Sequence, residues 1–163
     1  MTTTGEVGTT EPPTSQAVVG VGSRVMRDDG VGFHAIEALR ERSLPPGTTV
    51  SHAGTTAFLA LEAMSGTDRA IVVDALAVDD EPGCVRTFRY DDPGETPPEV
   101  TMHDFSFSDA LAVGDAAYDL PETVELVGVV PAVLEPGLEL SDPVADALPD
   151  LVSHITTRLN TPL

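Results

Sequence analysis

Two neighbouring stretches, Ala17 to Gly22 (AVVGVG) and Gly30 to Arg42 (GVGFHAIEALRER), decide the fold. The first is a short apolar run closed by glycines, the pattern of a buried parallel strand ending in a tight turn. The second places Val31, Ala35, Ile36, Ala38 and Leu39 near helical spacing. Arg40 and Arg42 fall in its last turn, where cations oppose the helix dipole favourably. Pro45-Pro46-Gly47 ends it. A strand, a glycine turn and a helix in succession open an α/β unit.

The pattern continues outward. Thr48 to His52 reads as a second strand and Thr56 to Met64 as a short helix. Ala70 to Val73 reads as a third strand that delivers the chain to Asp74. Val85 to Tyr90 alternates as an edge strand does. The acidic, proline-rich stretch Asp91 to Glu99 reads as a loop, and Phe105 to Ala117 as a helix. Thr123 to Val130 is the last strand, and Pro143 to Leu159 a C-terminal helix interrupted near Pro149. Together these predict a single-domain, doubly wound open α/β sheet of about five mostly parallel strands with helices on both faces. The chain's 163 residues suit one such domain. Residues 1–15, rich in Thr, Gly and Pro, lack both a basic start and an apolar core. They are expected to be a disordered tail and not a secretory signal, leaving the α/β domain at 16–163.

Composition excludes several functions. The eight basic residues are all arginine, against 27 acids and a formal net charge of −19. So acidic a surface repels phosphates, and no nucleic-acid partner is expected. Dense carboxylate without lysine suits a halophilic, cytoplasmic protein, where salt shortens the Debye length to about 3 Å at 1 M and screens self-repulsion. No apolar run approaches the roughly 18 residues that a membrane span needs, so no membrane partner is expected either. With no long apolar surface stretch, a monomer is expected. One cysteine, Cys84, rules out an intrachain disulfide and a cysteine-based zinc cluster; at the start of a strand it reads as a packing residue.

The segment Gly20 to Gly32 (GVGSRVMRDDGVG) superficially suggests a dinucleotide fingerprint. It fails, because that pattern needs glycine where Val25 stands, and two aspartates would face the pyrophosphate. Asp28 or Asp29 is suited to cap the helix that starts near Gly30, leaving the other free to bind a cation. Asp74 follows a strongly apolar strand, where a carboxylate is expensive unless paired, metal-bound or turn-forming. In an open α/β sheet such residues gather at the carboxyl ends of strands. His103, before a predicted helix, reads either as a surface histidine or as a third member. Two carboxylates and an imidazole from separate loops make an O/O/N set that suits a first-row metal such as nickel or zinc. His34 and His52 are spare imidazoles.

The stretch GVGSRVMRDDGVGFHAIEAL (Gly20 to Leu39) resembles the opening signature of the hydrogenase maturation proteases. Further landmarks follow in that family's order. They are Ala53-Gly54-Thr55, Val72-Val73-Asp74-Ala75, His103 with Asp109 beyond it, and Glu125 to Pro131 leading to Leu134-Glu135-Pro136. The resemblance spans about Val18 to Val144. It implies a doubly wound α/β peptidase in which Asp29, Asp74 and His103 contact nickel and serve catalysis. The implied substrate is the precursor of a [NiFe]-hydrogenase large subunit, already carrying its nickel. The metal is then substrate-borne, bound transiently, and marks the precursor for removal of a C-terminal extension. The alternative is a protein of the same fold that binds metal or processes a different metalloprotein, without a hydrogenase substrate. A further rival is an acidic interaction protein with no metal site. Ser23 replaces the asparagine usual in the family, and its hydroxyl is expected to bond the turn backbone. Asp29 stands where several members carry glutamate. Asp109 is expected to orient or cap. No Gly-x-Ser-x-Gly elbow, His-Glu-x-x-His helix or Asp-Thr-Gly signature occurs, which excludes those hydrolase classes.

Overall fold

A computed structural model describes residues 14–94, 96–100 and 106–163. Five strands form one sheet in the order β2-β1-β3-β5-β4. They are β1 (Gln16–Gly20), β2 (Thr48–His52), β3 (Arg69–Ala75), β4 (Val85–Arg89) and β5 (Thr123–Val129). β1 pairs in parallel with both β2 and β3, and β3 pairs in parallel with β5. Only β4 runs antiparallel, along the outer side of β5. Four helices cover the sheet: α1 (Val31–Arg40), α2 (Ala57–Met64), α3 (Phe107–Gly114) and α4 (Asp142–Leu159).

The alternation of side chains along the strands divides the core in two. Ala17, Val19, Ala70 and Val72 point to one face, where Ala57, Leu61 and Met64 of α2 and Phe107 of α3 meet them. Val18, Ile71, Val73 and Val127 point to the other, against Ile36 and Leu39 of α1 and Leu151 and Ile155 of α4. Helices therefore cover both faces, as the near-continuous apolar strands require. The β1–β3 border is where connections leave in opposite directions, and the crevice outside the carboxyl ends of such strands is where α/β sheets place their sites. The expected fold is the observed one.

Helix α1 comes unusually close to the sheet. A Cβ on Gly32 would lie 2.6 Å from the Val73 carbonyl and 2.8 Å from that of Val21. Any larger residue would lift the helix off the strands, so glycine here is a packing requirement. At the opposite end, buried Arg69 donates to Gln16 Oε1 at 3.0 Å, while Gln16 Nε2 donates to the Leu159 carbonyl at 3.0 Å. Arg158 forms a two-pronged pair with buried Glu125. These contacts pin the end of α4 to the amino ends of the strands.

Several features differ from the sequence expectation; α1 ends at Arg40, leaving Arg42 beyond its last turn. β1 ends at Gly20, because the chain turns at Gly22 with a φ of 110°. β3 runs through Asp74 to Ala75, where it still pairs with Gly128 and Val129. The chain leaves the helical state after Gly114, earlier than the apolar pattern suggests. α4 is continuous across Pro149, which is exposed, so the hydrogen bond it cannot donate is lost on the solvent-facing side of the helix. Cys84 is half-buried, with its Sγ 3.8 Å from Asp80 Oδ1. The expected tail falls largely on residues 1–13, outside the described residues. Among the described residues no helix is long and apolar enough to cross a membrane. Restoring the missing helix bond with Pro149→Ala should stabilise the protein by about 1–2 kcal/mol, once the looser unfolded chain is discounted. Thermal unfolding then shows a midpoint raised by about 2–6 °C.

Candidate active site

Beyond β1 the chain makes two tight turns before α1 begins. Val21 N–H still bonds the Val73 carbonyl at 2.9 Å, and Met26 N–H bonds that of Ser23 at 3.2 Å. A single 3-10 turn, Arg27–Gly30, follows and carries both aspartates. Arg27 adopts a left-handed conformation, φ 45°, uncommon for a residue with a Cβ. Its N–H bonds the Gly137 carbonyl and its Nε that of Glu139, each at 3.0 Å. The loop after β5 thereby holds the turn in place.

Neither aspartate caps α1, whose N-terminal residue Gly30 has no side-chain partner. Asp28 is fully buried and takes the donors of a different segment. Its Oδ2 accepts from Ala132 N–H and Val133 N–H, both at 2.8 Å, and from Ser141 Oγ at 2.7 Å. Its Oδ1 accepts from Ser141 N–H at 2.7 Å. Burial alone would push this carboxyl up, but the Ser141 hydroxyl and the three backbone donors outweigh it and hold the group below its usual range. Ser141 stands at the N-terminus of α4, yet its hydroxyl serves Asp28 instead of that helix.

Asp29 points the other way. Its Oδ2 accepts from Ser23 N–H at 2.7 Å. Ser23 thus ties the turn through its backbone, where its hydroxyl was expected to do so. Asp74, on the neighbouring strand, is buried and accepts from Ala75 N–H at 2.7 Å. Gly22 lies between the two acids. A Cβ there would sit 2.9 Å from Asp74 Oδ1, 3.3 Å from Asp29 Cγ and 2.2 Å from the Asp29 carbonyl oxygen. The two carboxyls therefore flank one glycine at the switch point between β1 and β3. Burial, reinforced by the charge of Asp29, pushes Asp74 well above the ordinary carboxyl range, against the single bond from Ala75.

An aromatic wall borders this pair. The Arg24 guanidinium stacks 4.3 Å from the Phe33 ring centre, and Phe33 meets His52 edge-on at 5.5 Å. His52 Nδ1 accepts from Gly54 N–H at 3.3 Å. Burial and Arg24 push this imidazole down, while Asp29 and Glu37 pull against them. His34 also contacts Phe33 edge-on, at 5.6 Å between ring centres. His103 lies at 101–105, outside the described residues. Among the described residues, no third histidine, cysteine or acid joins Asp29 and Asp74 in a metal-sized cluster. Asp109 does not cap α3; Ser106 does, its Oγ accepting from Asp109 N–H at 3.2 Å.

A model of the family described as hydrogenase maturation protease matches residues 33–158. The chain belongs to that family. It is 29% identical to the hydrogenase 2 maturation protease of Escherichia coli, over 87% of this chain and 88% of that one. Identity to the hydrogenase expression/formation protein HupD of Bradyrhizobium diazoefficiens is 30%, over 80% and 70%. Its fold superposes on the hydrogenase maturating endopeptidase HybD of E. coli with a TM-score of 0.77, at 25% identity, covering 90% and 93%. The hydrogenase 2 maturation peptidase of a Thaumarchaeota archaeon superposes with a TM-score of 0.69, at 27% identity, covering 90% and 98%. This chain is accordingly a peptidase, and the reading as an acidic interaction protein falls away.

In this protease the two neighbouring acids, Asp28 and Asp29, have opposite duties. One carboxylate is spent on the fold, and the other lies half-buried across Gly22 from Asp74. Asp28→Ala would leave three backbone N–H groups and a hydroxyl without their acceptor, at about 1–3 kcal/mol for each donor left buried and unmet. We expect a loss of at least about 3 kcal/mol in urea unfolding, detaching the 131–141 loop first. Asp74 should behave in the opposite sense. Burial raises the folded carboxyl above its unfolded value, so the unfolded chain releases its proton first, and the contribution of Asp74 to stability declines as pH rises from about 3.9 toward the raised folded value. Asp74→Asn should therefore raise the melting midpoint at neutral pH by a few degrees, about 2–4 °C per kcal/mol, while peptidase activity is lost.

Proposed function

We propose that this protease removes a C-terminal extension from the precursor of a [NiFe]-hydrogenase large subunit, and that Asp29 and Asp74 recognise the nickel the precursor carries. The observation behind this reading is the pairing of two carboxyls around Gly22, one of them buried. Such a pair is held at a disadvantage by desolvation and mutual repulsion. A divalent cation would relieve both. His103, which lies outside the described residues, would supply the nitrogen ligand of an O/O/N set suited to a first-row metal.

Two carboxylates and one imidazole leave coordination positions open, so the metal can arrive still attached to its carrier. In this reading nickel is part of the substrate, and its presence anchors the scissile bond at the rim. A precursor without nickel lacks that anchor. Held by Asp29, Asp74 and His103, the substrate's nickel would supply Lewis-acid chemistry toward the scissile carbonyl or an attacking water. Asp29, which among the described residues accepts one hydrogen bond, from Ser23, has a second oxygen that could take a proton from that water. Asp28 positions Asp29 by fixing the turn that carries both.

The direct test incubates the protease with nickel-loaded and nickel-free precursor and follows loss of C-terminal mass. Cleavage of only the loaded form is expected. Asp29→Ala, Asp74→Ala and His103→Ala should each lower the rate by more than the about 10–100-fold typical of outer-shell partners. Equal cleavage of both precursors would remove nickel from the account.

A further inference from the structure

β2 lies at the border of the sheet, paired with β1 along one side and with no described strand along the other. A free edge of this kind presents N–H and C=O groups ready to pair with another extended chain. Thr49 and Ser51 of β2 face a groove of about 490 Å³, whose opposite wall is Leu59, Glu62 and Ala63 of α2. Leu59 is 51% exposed, a large apolar side chain turned to solvent in a strongly acidic protein. Glu62 is the one acidic group along the described lining, which has no lysine or arginine.

The groove leads to the active site. His52 and Ala53 line its end. Ala53 N–H bonds the Gly20 carbonyl, and Gly22 N–H bonds that of Gly54, both at 2.8 Å. The end of β2 is thus tied by backbone to the glycine between Asp29 and Asp74. An endopeptidase needs its substrate extended near the scissile bond, since helices and turns withhold the backbone.

We propose that the free edge of β2 binds the precursor's C-terminal extension as an added strand. This rests on the reading of the chain as a hydrogenase-precursor peptidase and names where that substrate lies. Backbone pairing would hold the extension with little regard to its sequence, and alternate side chains would rest against Leu59 and Ala63. Direction follows from position. The scissile bond sits at the rim, beside the carboxyl end of β2, and the extension continues away from it. It therefore runs antiparallel to β2, from His52 toward Thr48. β2 has five residues, so about five residues of extension fit alongside it. Glu62 favours neutral or basic side chains over acidic ones.

The test is made on the full-length protease with nickel-loaded precursor. Thr49 and Leu59 are both exposed, so the double substitution Thr49→Arg, Leu59→Arg narrows the groove from both walls without entering the core. KM should rise about tenfold or more with kcat within about twofold, the signature of lost binding shared by ground and transition states. Val113→Arg, exposed on α3, should leave both unchanged. Hydrogen exchange of the 48–52 segment should slow when the precursor binds. If the unaltered protease cleaves the precursor while KM of the double variant stays within twofold, or while 48–52 gains no protection, the edge is not the binding strip. If the unaltered protease leaves the nickel-loaded precursor intact, the hydrogenase reading itself fails, and the strip with it.

Discussion

The carboxylate of Asp28 is the interaction on which this site depends. A buried, unpaired charge in a protein interior would be prohibitively costly, and among the described residues no cation pairs with it. Four donors from two separate stretches stabilise it instead: Ala132, Val133, and both the N–H and hydroxyl of Ser141. The consequence is topological. The turn after β1 and the loop after β5 are far apart in sequence, and this one side chain fastens them together. The Met26–Gly137 bridge and the left-handed Arg27 extend the seam. With the turn clamped on that side, Asp29 is left beside Gly22, across from Asp74.

Glycine then decides what Asp29 meets. At Gly22 the left-handed turn leaves room for two carboxyls that a Cβ would separate. At Gly32 the bare backbone lets α1 press onto the ends of β1 and β3. Gly128, opposite Asp74 on β5, gives the same clearance, since a Cβ there would strike the Asp74 carbonyl at 2.1 Å. Asp74 can therefore sit within a paired strand, desolvated and beside a second acid. Asp74 is thereby disfavoured as a charged group in the free protein, which is the state the proposed contact with substrate-borne nickel would relieve.

Much of this was legible in the sequence. The alternation of apolar strands with short amphipathic helices implied the doubly wound sheet, because period two and period 3.6 leave different marks. Asp74 stood out because an acid ending an apolar strand has few structural uses, whereas Asp29 was separated from Asp28 only by the resemblance of the Gly20 to Leu39 stretch to the family signature. Asp28 was the harder residue. Its sequence position, just before a helix, argued for a cap, and its true partners lie more than 100 residues away. Ser141 was hidden for the same reason: Ser-Asp-Pro ahead of a helix looks like an ordinary N-terminus. The wall of Arg24, Phe33 and His52 gave no local signal, since it forms only when α1 and β2 lie side by side. Pro149 misled in the other direction, because a proline on a solvent-facing turn removes a hydrogen bond without breaking the helix.

The central claim is that Asp29 and Asp74 contact a metal brought in by another protein. Nickel X-ray absorption reads that contact at the metal itself. Spectra of a nickel-loaded precursor with an uncleavable scissile bond would be taken alone and with the protease. The account predicts oxygen and nitrogen neighbours added to the nickel shell on complex formation, and fewer of them with Asp29→Ala. A nickel shell unchanged by the protease, in a complex shown to have formed, would contradict it.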